Sequence, residues 1–461
     1  MMRKILLGCC LLGSFFGYAQ QKAASLDSLF TNLHREGKFY GNVLIAEKGV
    51  PVYEKSFGLA DEQTKRPLDK ETVFELASVS KQFTAMGIMM LQKAGKLNYD
   101  DSLGKFIPEL PYHHISIRNL LNHTSGLPDY MALFDLAWDL KRIATNKDMI
   151  EQLIQYKPAI LFQPGMKYEY SNTGYALLAS VIEKVSGMPY SDFLQKNIFK
   201  PLKMTRTRVY RRRYENKSMD NYALGYVKDK KLGFVLPDSL ADYRNMVYCL
   251  DGIVGDGTVN STTGDLLKWD RALYSNSLID QELLAEAFKP AKLGNGKTSK
   301  YGFGWSIDSI GLFGNIVNHS GSWPGYNTFI ERHLTNDKTI IILKNHEVDG
   351  FYLSKIRNIL YDIKIVTGAE ATLDEETLKK YIGKYELAPG FVISITVSKG
   401  KIYAQATGQQ MFEIFPEKDK EDLFFVKVVD AKIKFSRDEK GVVNSLTLLQ
   451  NGQEIPGPKI E

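Results

Sequence analysis

The chain has 461 residues, 44% of them hydrophobic and 24% charged, with a formal net charge of +6. That size supports a sizeable core and two domains. The charge falls to +4 once Arg3 and Lys4 of the leader are set aside, with 57 basic against 53 acidic residues, too mild a balance to argue for nucleic acid.

The chain begins like an exported protein. Met1 to Lys4 are basic, Ile5 to Phe16 apolar, and Gly17-Tyr18-Ala19 offers small residues before Gln20. This predicts a signal peptide over 1–19, too short to span a membrane. No later run suggests a membrane span. Cys9 and Cys10 leave with the leader, and Cys249 reads as a small buried residue.

Val79 to Leu91 carries Phe83, Met86, Met89, Met90 and Leu91 and no proline. This predicts a buried helix with Ser78 in its first turn. Ser78 and Lys81 are three apart and share a helix face. The helix start adds free N–H groups and a partial positive charge beside the serine oxygen. Ser-x-x-Lys also occurs at Ser102 and Ser398. Ser102 opens a short polar stretch ending at Pro108, and Ser398 lies in a turn between predicted strands, so Ser78 is preferred.

His113 and His114 are adjacent and point apart, so they suggest no metal site. His123, in an Asn-His-Thr-Ser-Gly turn, is expected to brace a loop. Tyr-x-Asn occurs five times, and Tyr170-Ser171-Asn172 stands out. It follows the Pro164-Gly165 turn and enters an amphipathic helix predicted from Tyr175 to Val185, ended near Gly187. Arg211-Arg212-Arg213 reads as a solvated loop. His-x-Gly occurs once, at His319-Ser320-Gly321, after a strand predicted over Gly311 to Val317. Glycine at such a strand end lets a ligand approach the backbone. Thr328 to Ile330 and Thr339 to Leu343 read as further strands.

Together these motifs supply a nucleophile, a neighbouring amine, a phenol with an amide, and a polar glycine turn. At this point the chain resembles the β-lactamase-related serine hydrolases: class C β-lactamases, D-alanyl-D-alanine carboxypeptidases, D-aminopeptidases and esterases. The resemblance rests on Phe74 to Lys81, on Leu120 to Leu127, on Pro164-Gly165 with Tyr170 to Asn172, and on His319 to Gly321. Tyr301 to Trp305 and Gly255-Asp256-Gly257 with Ser261-Thr262 add to it, and it covers about residues 24 to 365.

The resemblance implies an α/β fold, a mostly antiparallel sheet flanked by helices plus a helical region, with the site between them. It makes Ser78 the acylated nucleophile. Lys81 and Tyr170 would share proton transfer, either being the base. Asn172 would position the substrate, and the N–H groups of Ser78 and Ser322 would form the oxyanion hole. His319, Ser320 and Gly321 would complete substrate binding. His319 stands where a lysine usually helps hold a substrate carboxylate, and an unperturbed histidine is only about a tenth charged near pH 7.4. Anchoring should be weaker, which tilts the expectation toward an ester or peptide substrate. A β-lactamase or penicillin-binding carboxypeptidase remains an alternative, as does a non-catalytic peptidoglycan-sensing or β-lactam-sensing module. The resemblance also implies a periplasmic or secreted enzyme without cofactor or metal. The oligomeric state stays open.

Ile356 to Ile365 is expected to be the last helix of this unit, which would run from residue 20 to 370. Residues 371–461 read differently. Leu373 to Lys380 should be helical. Strands are then expected at Val392 to Val397, Lys401 to Gln405, Leu423 to Val428, Lys432 to Phe435 and Val443 to Leu449. They suggest a small antiparallel β-barrel, resembling the lipocalin-like C-terminal module of some members of the family.

Overall fold

A computed structural model describes residues 20–310, 313–363, 369–409, 411–427, 431–450 and 453–461. The predicted leader lies outside them. The chain forms two compact units that divide between Phe351 and Tyr352.

The first unit is built on a six-stranded sheet. Its strands are β1 (Gly41–Glu47), β2 (Val50–Phe57), β3 (Ser306–Ile310), β4 (Gly314–Trp323), β5 (Tyr326–His333) and β6 (Lys338–Lys344). Their spatial order is β3-β4-β5-β6-β1-β2, and every pairing is antiparallel. The central strands read as apolar runs because both faces are covered. Leu44 and Ala46 face a large core with Ile330, Ile341 and Leu343. Ile45 pairs with Tyr53 on the other face. There Tyr53 stacks on Phe30 of helix α1, residues 20–35, at 5.8 Å between ring centres.

The helical region holds α2 (Lys81–Lys93) and α3 (Asn172–Ser186). Ser171 caps α3 by accepting the Gly174 N–H at 3.1 Å, and Gly187 ends it at φ 69°. The two helices pack so closely that a Cβ on Gly87 would sit 2.8 Å from Ile182 Cδ1. Buried Phe83, Met86, Leu177 and Leu178 join the core beneath the sheet. Hence α2 and α3 can hold Ser78, Lys81 and Asn172 in a fixed relation.

The second unit contains the helices Leu353–Leu360, expected instead as the last helix of the first unit, and Glu375–Lys379, each shorter than expected. Ile365 lies outside the described residues. Eight antiparallel strands follow: β7 (Gly383–Ala388), β8 (Phe391–Ser398), β9 (Lys401–Ala406), β10 (Phe412–Pro416), β11 (Leu423–Val426), β12 (Ala431–Arg437), β13 (Val443–Gln450) and β14 (Gln453–Pro458). Each pairs with the next. The Lys384 N–H donates to the Glu461 carbonyl at 2.8 Å, and the Ile460 N–H to the Lys384 carbonyl at 2.8 Å. These two bonds bring the ends of the sheet together into a nearly closed barrel, as expected. Tyr385, Ile395, Ile414, Phe424, Phe435 and Leu446 fill it.

Three readings change. His319 to Gly321 lie inside a ten-residue strand rather than at a strand end, because β4 runs on to Trp323. Gly311 and Leu312 are outside the described residues. The arginine cluster is not a solvated loop. Arg213 is largely buried and donates to Asp238 at 2.8 Å through both Nε and Nη2, and to Asp251 at 3.2 Å. Asn172 belongs to α3 itself, one residue inside its cap.

Candidate active site

The segment leading to Ser78 is clamped on two sides. Phe74–Glu75 pairs with Val259–Ser261, and the Leu76 N–H donates to the Val259 carbonyl at 2.9 Å. The Thr328 hydroxyl donates to the Leu76 carbonyl at 2.6 Å, and the Val259 N–H to Ser80 Oγ at 3.0 Å. Ala77 then turns through φ 48°. A left-handed alanine costs about 1–2 kcal/mol, and such strain persists only where surroundings enforce it. The bend places Ser78 in a short 3-10 turn, Ala77–Ser80, that leads into α2.

Lys81 is the first α-helical residue and has no exposed surface. Its Nζ donates to Ser78 Oγ at 3.1 Å, Asn172 Oδ1 at 2.8 Å and the Asp256 carbonyl at 2.7 Å. Three N–H bonds thus meet three acceptors, which satisfies a buried ammonium. The ring of Tyr170 lies 4.9 Å from Nζ. Tyr170 is 39% exposed, and its hydroxyl makes no hydrogen bond among the described residues. Ser78, Lys81, Tyr170 and Asn172 therefore converge, with the phenol oxygen left for an incoming group.

Gly321 of β4 passes directly over this segment. A Cβ there would lie 2.2 Å from the Leu76 carbonyl oxygen and 3.0 Å from the Ser78 nitrogen. Only glycine fits. Ser322 follows and lines a cleft with Ser78, Asn172, Asp256 and Trp323.

His319 is placed otherwise than expected for a substrate contact. It is buried against Tyr301. Its Nδ1 faces the Ser320 carbonyl at 2.7 Å, so Nδ1 carries the proton. Its Nε2 must then accept from the Tyr301 hydroxyl at 2.7 Å. Burial, helped by the Lys81 charge, pushes it down to about 3. It is a neutral brace under the strand. Ser320 is exposed beside it.

Sequence reasoning gave no role to Asp256 or Tyr130. The Asp256 carbonyl holds Lys81, and its carboxylate accepts the Tyr130 hydroxyl at 2.9 Å. Burial raises that carboxyl, opposed by Lys81 and Tyr130. The Gly255-Asp256-Gly257 turn was the available signal. His123 braces the Tyr170 loop, as expected of its turn: the Ser171 N–H donates to its Nδ1 at 3.1 Å.

The β-lactamase family model matches residues 26–361. The chain belongs to the β-lactamase family. A model for a domain of unknown function, DUF3471, matches residues 368–457 of this β-lactamase-family chain. The chain is 42% identical to penicillin-binding protein 4* of Bacillus subtilis, across 94% of its own length and 98% of that protein's. It is 25% identical to a D-aminopeptidase of Brucella anthropi, covering 62% of its own length and 52% of that protein's. Among solved structures it resembles an octameric penicillin-binding protein homologue from Pyrococcus abyssi. There the TM-score is 0.63 at 24% identity, over 94% of this chain and 99% of that one. It also resembles a D-amino acid amidase from Ochrobactrum anthropi, with a TM-score of 0.61 at 24% identity, over 74% and 99%. Those two likenesses show the fold. As a β-lactamase-family member the chain is a serine hydrolase. Among the described residues no helix is long and apolar enough to cross a membrane.

Proposed function

We propose that this serine hydrolase is exported and cleaves an ester or amide through an acyl-enzyme on Ser78. The observation that carries this is the Lys81 amine, bonded at once to Ser78 Oγ, Asn172 Oδ1 and the Asp256 carbonyl. As a neutral amine, Lys81 would keep two of its N–H groups on Asn172 and Asp256. Its lone pair would then face the Ser78 hydroxyl. This favours Lys81 as the base.

Ser78 Oγ attacks the substrate carbonyl carbon while its proton passes to Lys81. The carbonyl oxygen becomes an oxyanion held by the Ser78 and Ser322 N–H groups. The carbon–nitrogen or carbon–oxygen bond then breaks. The leaving atom takes a proton through Tyr170, whose free hydroxyl suits that task, and Lys81 restores it. Water next attacks the ester and returns the proton to Ser78, freeing a carboxylic acid. Asn172 has its Oδ1 on Lys81, so its amide N–H groups remain for the substrate.

The neutral, occupied His319 offers no cation to a substrate carboxylate. This supports an esterase or D-amino-acid peptidase over efficient β-lactam turnover. The name of the 42% identical relative favours a second reading, in which a penicillin binds and acylates Ser78. A panel of short-chain esters, D-amino-acid amides, D-Ala-D-Ala peptides and a chromogenic cephalosporin tests both. Ester or amide turnover well above cephalosporin turnover supports the first; the reverse order supports the second.

A further inference from the structure

The cleft above Ser78 carries a charge that the proposed chemistry does not use. Phe74 is fully buried, and strand alternation sends Glu75 the opposite way. Glu75 lines the same cleft as Ser78, Asn172 and Ser322. Asp251 and Asp256 line it too, while the Lys81 amine beside Ser78 is already engaged by Ser78, Asn172 and the Asp256 carbonyl.

These three acidic groups are not equivalent: Asp256 takes the Tyr130 hydroxyl at 2.9 Å. Asp251 accepts the backbone N–H groups of Arg213 at 2.7 Å and Tyr214 at 2.8 Å, besides the Arg213 guanidinium. Arg212 donates to Asp238 at 2.7 Å, and Asp238 also takes both bonds from Arg213. Both guanidinium groups near Glu75 are thus committed to other carboxylates. The Glu75 carboxylate has no hydrogen-bond partner among the described residues. Burial, then the Asp251 charge, push it up to about 7, against the weaker pull of Arg213 and Arg212. Tyr222 and Tyr326 also face it. A half-buried carboxylate without a partner is costly, which leaves Glu75 partly protonated near neutral pH, and a cation from outside would favour its ionised form.

We infer that Glu75 selects substrates bearing an ammonium group close to the scissile carbonyl, such as a free amino terminus. The ammonium docks on Glu75 while the carbonyl reaches Ser78. An anionic substrate meets this acidic lining, and Lys81 beside Ser78 is already engaged, so like-charge juxtaposition disfavours it. This inference rests on the serine-acylation reading above.

The test is protection of Ser78 from a neutral fluorophosphonate by three matched amides: D-alanine amide, its N-acetyl form and its N-succinyl form. The cationic amide should protect at a concentration at least about tenfold below the neutral one, with the anionic amide weakest. Glu75→Gln should make the first two equal, and Glu75→Lys should favour the N-succinyl amide. Circular dichroism and melting temperature identify the folded variants, and either one suffices. Equal protection by all three amides in the wild type overturns the assignment of Glu75, as does an unchanged order in a folded variant. Absence of labelling at Ser78 in the wild type would overturn the serine reading itself, and this inference with it.

Discussion

His123 holds Tyr170 from both sides. Its carbonyl accepts the Glu169 N–H at 2.9 Å, its Nδ1 accepts the Ser171 N–H at 3.1 Å, and its ring lies 4.3 Å from the Tyr170 ring. The backbone turn at His123, φ 58°, makes this reach possible. Because Nδ1 accepts, the proton sits on Nε2, which is buried without a partner. Burial, then the Lys81 charge, hold the imidazole well below its usual range.

The phenol proposed to serve the leaving group is therefore aimed by a residue that would touch no substrate. Asparagine places its Oδ1 near the position of a histidine Nδ1; glutamine does not. His123→Asn should keep most of the turnover, whereas His123→Gln should lose roughly tenfold or more in kcat with little change in KM. Equal losses in the two variants, or losses confined to KM, would contradict the positioning role.

In the proposed mechanism Lys81 and Tyr170 act on one proton path. Lys81→Ala and Tyr170→Phe should each lower turnover about 10²-fold or more. The double variant should be far from multiplicative, because the pair works as a unit. Steady-state rates on one neutral ester measure all three. Independent, multiplicative losses would mean separate roles.

Gly321 has no room for a methyl group between the Leu76 carbonyl and the Ser78 nitrogen. Gly321→Ala must push β4 away from Ser78, at about 1–3 kcal/mol for such overpacking. Acylation of Ser78 should slow by roughly tenfold or more even in protein that remains folded. Stopped-flow acylation with a chromogenic ester reads the effect, and an unchanged rate would remove the close approach from the account.

His319 gives a pH prediction. Its folded-state value is about 3, against 6.5 for an ordinary imidazole. Between those values the unfolded chain binds the proton more readily. The contribution of neutral His319 to stability is full above about 6.5 and is lost as pH falls toward 3. In His319→Gln, stability should fall less steeply over that window. Urea midpoints at several pH values between 7 and 3 measure the slopes, and parallel curves would contradict the assignment.

Much of the site was legible because its members sit at helix starts and turns. Ser78 and Lys81 are one turn apart, and Ser171 caps α3 where the Pro-Gly turn and Gly187 frame it. The barrel was legible where strands alternate, as in Phe391–Ser398 and Ala431–Arg437. It was not legible at Gln453–Pro458, where Pro456 and Pro458 read as strand breakers yet sit on the last strand of the sheet. The arginine cluster misled because local charge density says nothing of distant partners. Asp238 and Asp251 come from 25 and 38 residues away. His319 matched its motif in sequence, but its orientation was fixed by Tyr301, 18 residues earlier.

The most direct measurement of the central claim is intact-mass spectrometry with peptide mapping after brief treatment with a fluorophosphonate or an activated ester. One adduct should form on the wild-type protein, on the peptide containing Ser78. Ser78→Ala should be folded, since a hydroxyl at a helix start contributes only about 1 kcal/mol, and should carry no adduct. Labelling of the Ser78→Ala protein at another serine, with turnover retained, would contradict the account.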